Sequence, residues 1–309
     1  MTTQPIFIVG VPRSGTTLMT TLLSAHARVA ISPETHFLDE WLPRYQHWCA
    51  LERADHFQQF WQNWSSSQRF SYFGVDPEQV FQRLQAQPAI NFKVIFQSLL
   101  EEYAISQGKS RWGEKTPMHY RHLQTLLNWY PNARVIWMIR DPRATVASLL
   151  PLAWASNSAR SNAQHWLGSL HLFETRWRRD HRVLLVRYED LVTVPESTLV
   201  QVCKFIGEVY DPSMITNRSE QTCPVINRCS WAERHLKQAL QPISQQGLHK
   251  WKRRLSRRQV VNIELITRSK LETYGYQLTV PPWFLASWHW ASTMRSRLQL
   301  LNLHQILDM

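Results

Sequence analysis

The feature that most constrains this chain is a buried-strand pattern running straight into a glycine loop and then a helix. Pro5-Ile6-Phe7-Ile8-Val9 is a short apolar run suited to a strand covered on both faces. Gly10-Val11-Pro12-Arg13-Ser14-Gly15-Thr16-Thr17 follows it, then an apolar helix from Leu18 to Leu23. A loop placed there points free backbone N–H groups and the positive end of a helix dipole at one spot, which makes an anion site. Gly10 and Gly15 have the spacing of a phosphate-binding loop, but Thr16 stands where a triphosphatase places its lysine. Arg13 offers a planar fork to phosphate or sulfate, and Ser14, Thr16 and Thr17 add hydroxyl donors.

The same grammar recurs. Arg134–Ile139 reads as a buried strand, Arg140-Asp141-Pro142-Arg143 as a turn, and Ala144–Leu150 as a helix whose first turn accepts Pro142. Val183–Val186 reads as a third strand, ending in Arg187-Tyr188-Glu189-Asp190 before a helix over Pro195–Ile206. Strands alternating with helices predict an α/β fold, a P-loop-like three-layer α/β/α sandwich around a central parallel sheet. Residues 40–110 are rich in Trp, Gln and His and read as an inserted helical cap; residues 207–250 read as a long loop. Ser256 and Gln259 form a capping box for a last helix, with Val261 and Leu265, and Ile263 and Ile266, on shared faces and Gly275 as its stop. The expected organisation is one domain over 1–280 and a Trp-rich tail over 281–309, which packs on the domain or lies on a membrane surface.

Arg140 at the end of the second strand and Ser148 eight positions on reach the crevice outside the strand ends, where open α/β sheets bind ligands. Two such loops imply a ligand with two separated anionic groups. The 309 residues carry 35 Lys plus Arg against 23 Asp plus Glu, a formal charge of +12, which also favours an anionic ligand. Cys49, Cys203, Cys223 and Cys229 make neither a disulfide framework nor a metal-binding spacing, so no metal is expected. No apolar run of about 18 residues occurs, and Pro12 and Arg13 interrupt any secretory core, so the expected location is the cytoplasm.

Pro12-Arg13-Ser14-Gly15-Thr16-Thr17 after one strand, with Arg140-Asp141-Pro142-Arg143-Ala144-Thr145-Val146-Ala147-Ser148 after another, resembles the sulfotransferases that use 3′-phosphoadenosine 5′-phosphosulfate (PAPS). The tyrosylprotein sulfotransferase branch is the most similar, through blocks at about 6–38, 113–150, 186–192 and 233–276. The resemblance implies that Arg13, Ser14, Gly15, Thr16 and Thr17 hold the 5′-phosphosulfate. It likewise implies that Arg140 and Ser148 hold the 3′-phosphate, with Tyr188 and Lys250 as further donor contacts. It places the general base on Glu34, in Ser32-Pro33-Glu34-Thr35-His36-Phe37, and the charge-stabilising lysine on Lys115, in Gly113-Glu114-Lys115-Thr116-Pro117. It needs no metal.

The chain departs from that pattern at two positions. His235, a third catalytic candidate that could donate to the donor or the transition state, stands where the branch has serine, and His36, on the acceptor side, stands where it has arginine. The branch's cysteine pairs are absent, with Ile31 and Gly113 at those places, which suits a reducing compartment. The expected partners are therefore PAPS and a hydroxyl-bearing acceptor: a peptide tyrosine, carbohydrate, lipid or small phenol. Two alternatives stand beside this reading. One is an ATP-dependent P-loop kinase, against which the missing lysine argues; the other is a non-catalytic basic protein for nucleic acid or membrane, although no nucleic-acid recognition signature is present.

Overall fold

The structure is a computed structural model describing residues 4–46, 54–219 and 233–281. A five-stranded parallel sheet carries β1 (Ile6–Gly10), β2 (Val29–Ser32), β3 (Arg111–Glu114), β4 (Arg134–Ile139) and β5 (Val183–Arg187), in the order β2-β3-β1-β4-β5. Its register runs from Ile6 beside Arg134 to Gly10 beside Met138, and from Val29 beside Arg111 to Ser32 beside Glu114. The period of two in a strand sends alternate side chains to opposite faces. Ile6, Ile8, Ile136 and Met138 therefore pack on one face with Met19, Leu22 and Leu23 of the helix Thr16–Ser24 and Leu199, Val202 and Ile206 of the helix Pro195–Ile206. Phe7 points the other way, against Phe96 of the helix Phe92–Ser106, Trp112 and Tyr130, while Trp137 meets Tyr120 and Phe173. Helices cover both faces, so the expected α/β/α sandwich is present.

The stretch 40–110 is helical as its composition suggests, with helices Ala54–Ser65, Pro77–Gln85 and Phe92–Ser106. Its many tryptophans and phenylalanines build an apolar core: Phe37, Phe60, Trp64 and Phe70 meet mostly edge to face. Within the expected long loop the structure places a helix, Glu233–Leu240. Its strong segregation of polar and apolar residues lay below notice in so polar a stretch. Cys49, Cys223, Cys229 and the tail beyond Pro281 lie outside the described residues.

By contact the chain forms two compact units. The first, residues 1–140 with 173–245, contains the sheet; the second joins 141–172 to 246 onward. In the second, the helix Pro142–Leu149 packs with Ala159–Leu172, Trp251–Arg254 and Arg257–Thr273 around Val146, Ala163, Trp251 and Ile263. The helix Arg257–Thr273 begins with the Ser256/Gln259 capping box read from the sequence. Among the described residues no helix is long and apolar enough to cross a membrane.

Candidate active site

In the sheet-bearing unit, each strand delivers candidate site residues at its carboxyl end. Gly10–Thr17 leaves β1, Glu34 follows β2, Lys115 follows β3, Arg140 follows β4 and Tyr188 follows β5. All five strands run parallel, so their carboxyl ends lie along one edge of the sheet and the loops that leave them share one rim.

The β1 loop is shaped for an anion. Gly10 has φ +143, and a Cβ on it would sit 2.4 Å from the Met138 carbonyl oxygen on the adjoining strand. Arg13 and Gly15 both occupy the left-handed region, at φ 75 and 95, and between them the Ser14 N–H closes the turn onto the Val11 carbonyl at 3.1 Å. For Arg13 this backbone is strained, a cost that persists where surrounding structure fixes it. The helix Thr16–Ser24 has no side-chain cap and no acidic residue in its first turn. Ser14 is 1% exposed, and its hydroxyl has no hydrogen-bond partner. A buried, unpartnered hydroxyl beside uncapped helical N–H groups fits an anionic ligand oxygen. Thr16 is buried and Thr17 half-buried at the start of that helix.

The Arg140 guanidinium donates to the Arg13 carbonyl at 3.2 Å and lies 4.3 Å from the centre of the Tyr188 ring. A Cβ on Gly15 would meet that ring at 2.4 Å, so Tyr188, Gly15, Arg13 and Arg140 form one packed group. Ser148, half-buried on the helix Pro142–Leu149, and Lys250, exposed at the start of the helix Trp251–Arg254, belong to the second unit.

The β2 and β3 loops bring Glu34, His36 and Lys115 together. The Lys115 ammonium donates to Glu34 Oε1, while Glu34 Oε2 faces His36 Nε2 at 3.1 Å. Lys115 therefore pairs with Glu34 and not with its neighbour Glu114. Burial raises the pKa of Glu34, yet Lys115 and His36 outweigh it and hold the carboxyl down to about 2. Glu34 is thus ionised at neutral pH, although partly enclosed.

His36 sits at φ 48, again left-handed, at the head of a π-helical stretch, Phe37–Trp41. Its Nδ1 faces Asp39 Oδ2 at 3.0 Å. Behind Asp39 lies His119, whose Nδ1 meets Glu114 Oε2 at 3.1 Å and whose Nε2 faces Asp39 Oδ1 at 3.4 Å. The Leu38 N–H also points at that Nε2, at 3.3 Å, which would call for a lone pair there. Two facing carboxylates outweigh one amide. Glu114 and Asp39 raise the His119 pKa to about 9 against burial, which lowers it. Glu114 is fully buried and also accepts from the Thr35 N–H and hydroxyl and from the Thr116 hydroxyl.

Sequence reasoning missed Asp39, Glu114 and His119 as members of this group. The available signal was Glu114 and His119 flanking Pro117, a carboxylate and an imidazole held close by a turn. The side chain of His235, on the helix Glu233–Leu240, lies outside the described residues. Among the described residues no three His, Cys, Asp or Glu side chains are arranged to hold a metal ion.

The chain is similar to protein-tyrosine sulfotransferases of Drosophila melanogaster and Gallus gallus, each 27% identical over 254 residues and 80% of this chain. It spans 46% and 62% of the lengths of those two relatives. Its fold matches the sulfotransferase domain of the Synechococcus PCC 7002 olefin synthase, with a TM-score of 0.63, 23% identity and coverage of 90% of this chain and 96% of that one. Residues 5–212, which include the β1 loop, Glu34, Lys115, Arg140 and Tyr188, match the model of the sulfotransferase family, and the chain belongs to that family.

Proposed function

We propose that this protein transfers a sulfuryl group from PAPS to an acceptor hydroxyl. The observation that carries the reading is the Glu34–Lys115 ion pair in the loops after β2 and β3, strands on the same side of the sheet as the anion-shaped β1 loop. Arg13, Ser14, Gly15, Thr16 and Thr17 would hold the phosphosulfate end of the donor and Arg140 its 3′-phosphate end, with Tyr188 as a further donor contact. The donor carries roughly four negative charges, which suits the excess of basic residues. When bound, it supplies an activated sulfuryl group and a bisphosphate leaving group.

Glu34 is the general base. A phenol has a pKa near 10 and an alcohol a higher one, so a carboxylate must take the proton as the oxygen attacks. Paired with Lys115, Glu34 is a weak base. As anionic charge approaches Lys115, the ammonium is shared with it and the proton affinity of Glu34 rises. Lys115 then compensates the charge that develops during transfer. His36 flanks the acceptor side. The acceptor class is a peptide tyrosine, as the names of the relatives suggest, or a carbohydrate, lipid or small phenol, and we place the protein in the cytoplasm.

Calorimetric titration with adenosine 3′,5′-bisphosphate tests the donor side. Tight binding by the wild type that disappears in Arg140→Ala is the expected result. A preference for magnesium-ATP would overturn the reading in favour of a kinase.

A further inference from the structure

We propose that His36 is a positioning residue that, as an imidazolium, clamps Glu34 Oε2 and leaves Oε1 to Lys115 and the acceptor, with the chain Asp39–His119–Glu114 fixing its ring from behind. This deepens the functional reading above and rests on Glu34 being the base. The argument begins with hydrogen-bond arithmetic. A neutral imidazole has one N–H, and only the cation has two. His36 faces a carboxylate oxygen at each ring nitrogen, Glu34 at 3.1 Å and Asp39 at 3.0 Å. Both contacts are hydrogen bonds only if both nitrogens carry protons. Glu40 Oε1, 3.6 Å from Nδ1, adds negative charge on the same side.

The surroundings favour the cation on balance. From the helix Gln68–Ser71, Arg69 opposes it, but that guanidinium is held by Glu40 at 2.8 and 3.2 Å. Lys115 after β3 is engaged by Glu34, and His119, the other cation nearby, lies between Asp39 and Glu114. Carboxylates and cations thus alternate as Lys115, Glu34, His36, Asp39, His119, Glu114. Burial lowers the His36 pKa, and the hydrogen bonds to Asp39 and Glu34 outweigh it, raising the group to about 9.

The backbone agrees with an assigned orientation. His36 holds φ 48, and its N–H donates to Thr116 Oγ1 at 3.3 Å. Asp39 is delivered by the π-helical stretch Phe37–Trp41, a geometry that recurs at functional sites. The ring is therefore held by its own backbone, by Glu34 and by Asp39. A titratable group in this place gives the base an upper pH limit. When the imidazolium loses its proton, Nε2 or Nδ1 becomes a lone pair facing a carboxylate, and Glu34 is released from its fixed orientation.

The test is nitrogen-15 NMR of the histidine rings in the full chain across pH 5–10.5, read beside transfer kinetics. His36→Asn, which tolerates the left-handed backbone, identifies the His36 signals by their loss. We expect two protonated ring nitrogens at pH 7, with titration on the alkaline side. Removing one charged partner, in Glu34→Gln or Asp39→Asn, should lower the midpoint by about one unit or more. A ring with one protonated nitrogen at pH 7, or a midpoint unmoved in both variants, overturns the clamp.

With PAPS and 4-methylphenol as the probe pair, an acceptor still protonated at the His36 midpoint, kcat should fall above that midpoint while KM for PAPS stays level. His36→Arg, which stays charged, should move that alkaline limb upward. An alkaline limb that His36→Arg leaves in place overturns the positioning role. If the NMR result holds and no PAPS-dependent transfer occurs with any hydroxyl acceptor, the clamp stands and the sulfotransferase reading fails.

Discussion

Two buried charged networks, one in each unit, use the same side-chain chemistry to different ends. In the second unit, Arg143 grips Asp141 with two bonds of 3.0 and 2.7 Å and gives its remaining arm to Glu264 at 2.6 Å and the Gln277 carbonyl at 2.9 Å. Glu264 is fully buried and also accepts from the Thr279 hydroxyl at 2.6 Å and the Val280 N–H at 3.0 Å. The guanidinium lies 4.4 Å from the centre of the Trp251 ring. This network is closed: its donors and acceptors satisfy one another, which is what a structural tie requires. The Glu34 network in the sheet-bearing unit is closed only at the Glu114 end. Glu34 and Asp39 keep 21% and 25% of their side-chain surface exposed, and His36 and Arg13 hold strained backbones. Charge held open at a strand rim can meet a ligand, and charge sealed in a helical core cannot.

Substitutions should divide accordingly. Glu34→Gln keeps an oxygen for Lys115 but removes the base, so kcat should fall by roughly 10²–10⁴, far more than the loss of folded fraction that follows from breaking its ion pairs with Lys115 and His36. Stopped-time transfer assays and calorimetry on one preparation check both halves. A rate within threefold of wild type would remove Glu34 from the base role. Arg143→Met should do the reverse. It leaves Glu264 and Asp141 without their cation, a loss of about 3–5 kcal/mol by denaturant titration, with any activity loss following the unfolded fraction. Full stability with lost activity would mean that the closed network is functional after all.

The same contrast explains what the sequence disclosed. The β1 loop was legible because Gly10 and Gly15 answer local backbone demands, a close approach to Met138 and a left-handed turn, and local demands leave spacing in the sequence. The strands β1, β4 and β5 were legible as apolar runs. β2 and β3 were not, since Val29–Ser32 and Arg111–Glu114 are short and partly polar, and they are held by pairing with each other. The Glu34–Lys115 pair joins loops on different strands, and only the sheet order puts it together, whereas the buried Glu114–His119 contact is local to the turn after β3. The resemblance named Glu34 and Lys115 singly. It could not supply Asp39, whose place depends on the π-helical stretch that follows His36.

The smallest expected effect separates the two networks by pH. His36 titrates near 6.5 when unfolded and about 9 when folded, so the folded state binds its proton more tightly. Stability from that preference is fully present below pH 6.5 and is lost as pH rises through about 9. His119, also raised to about 9, contributes in the same direction. Glu34 works on the other side. Its carboxyl falls from 4.5 to about 2 on folding, so its contribution is present above pH 4.5 and is lost as pH falls toward 2. Arg143 stays charged throughout the neutral and alkaline range, its pKa raised by Asp141 and Glu264 against burial, and contributes no such slope. Urea titrations between pH 6.5 and 9 should therefore show declining stability in the wild type. The decline should shrink in His36→Asn and keep its slope in Arg143→Met. A slope unchanged by loss of His36 would assign the alkaline weakening to His119 alone.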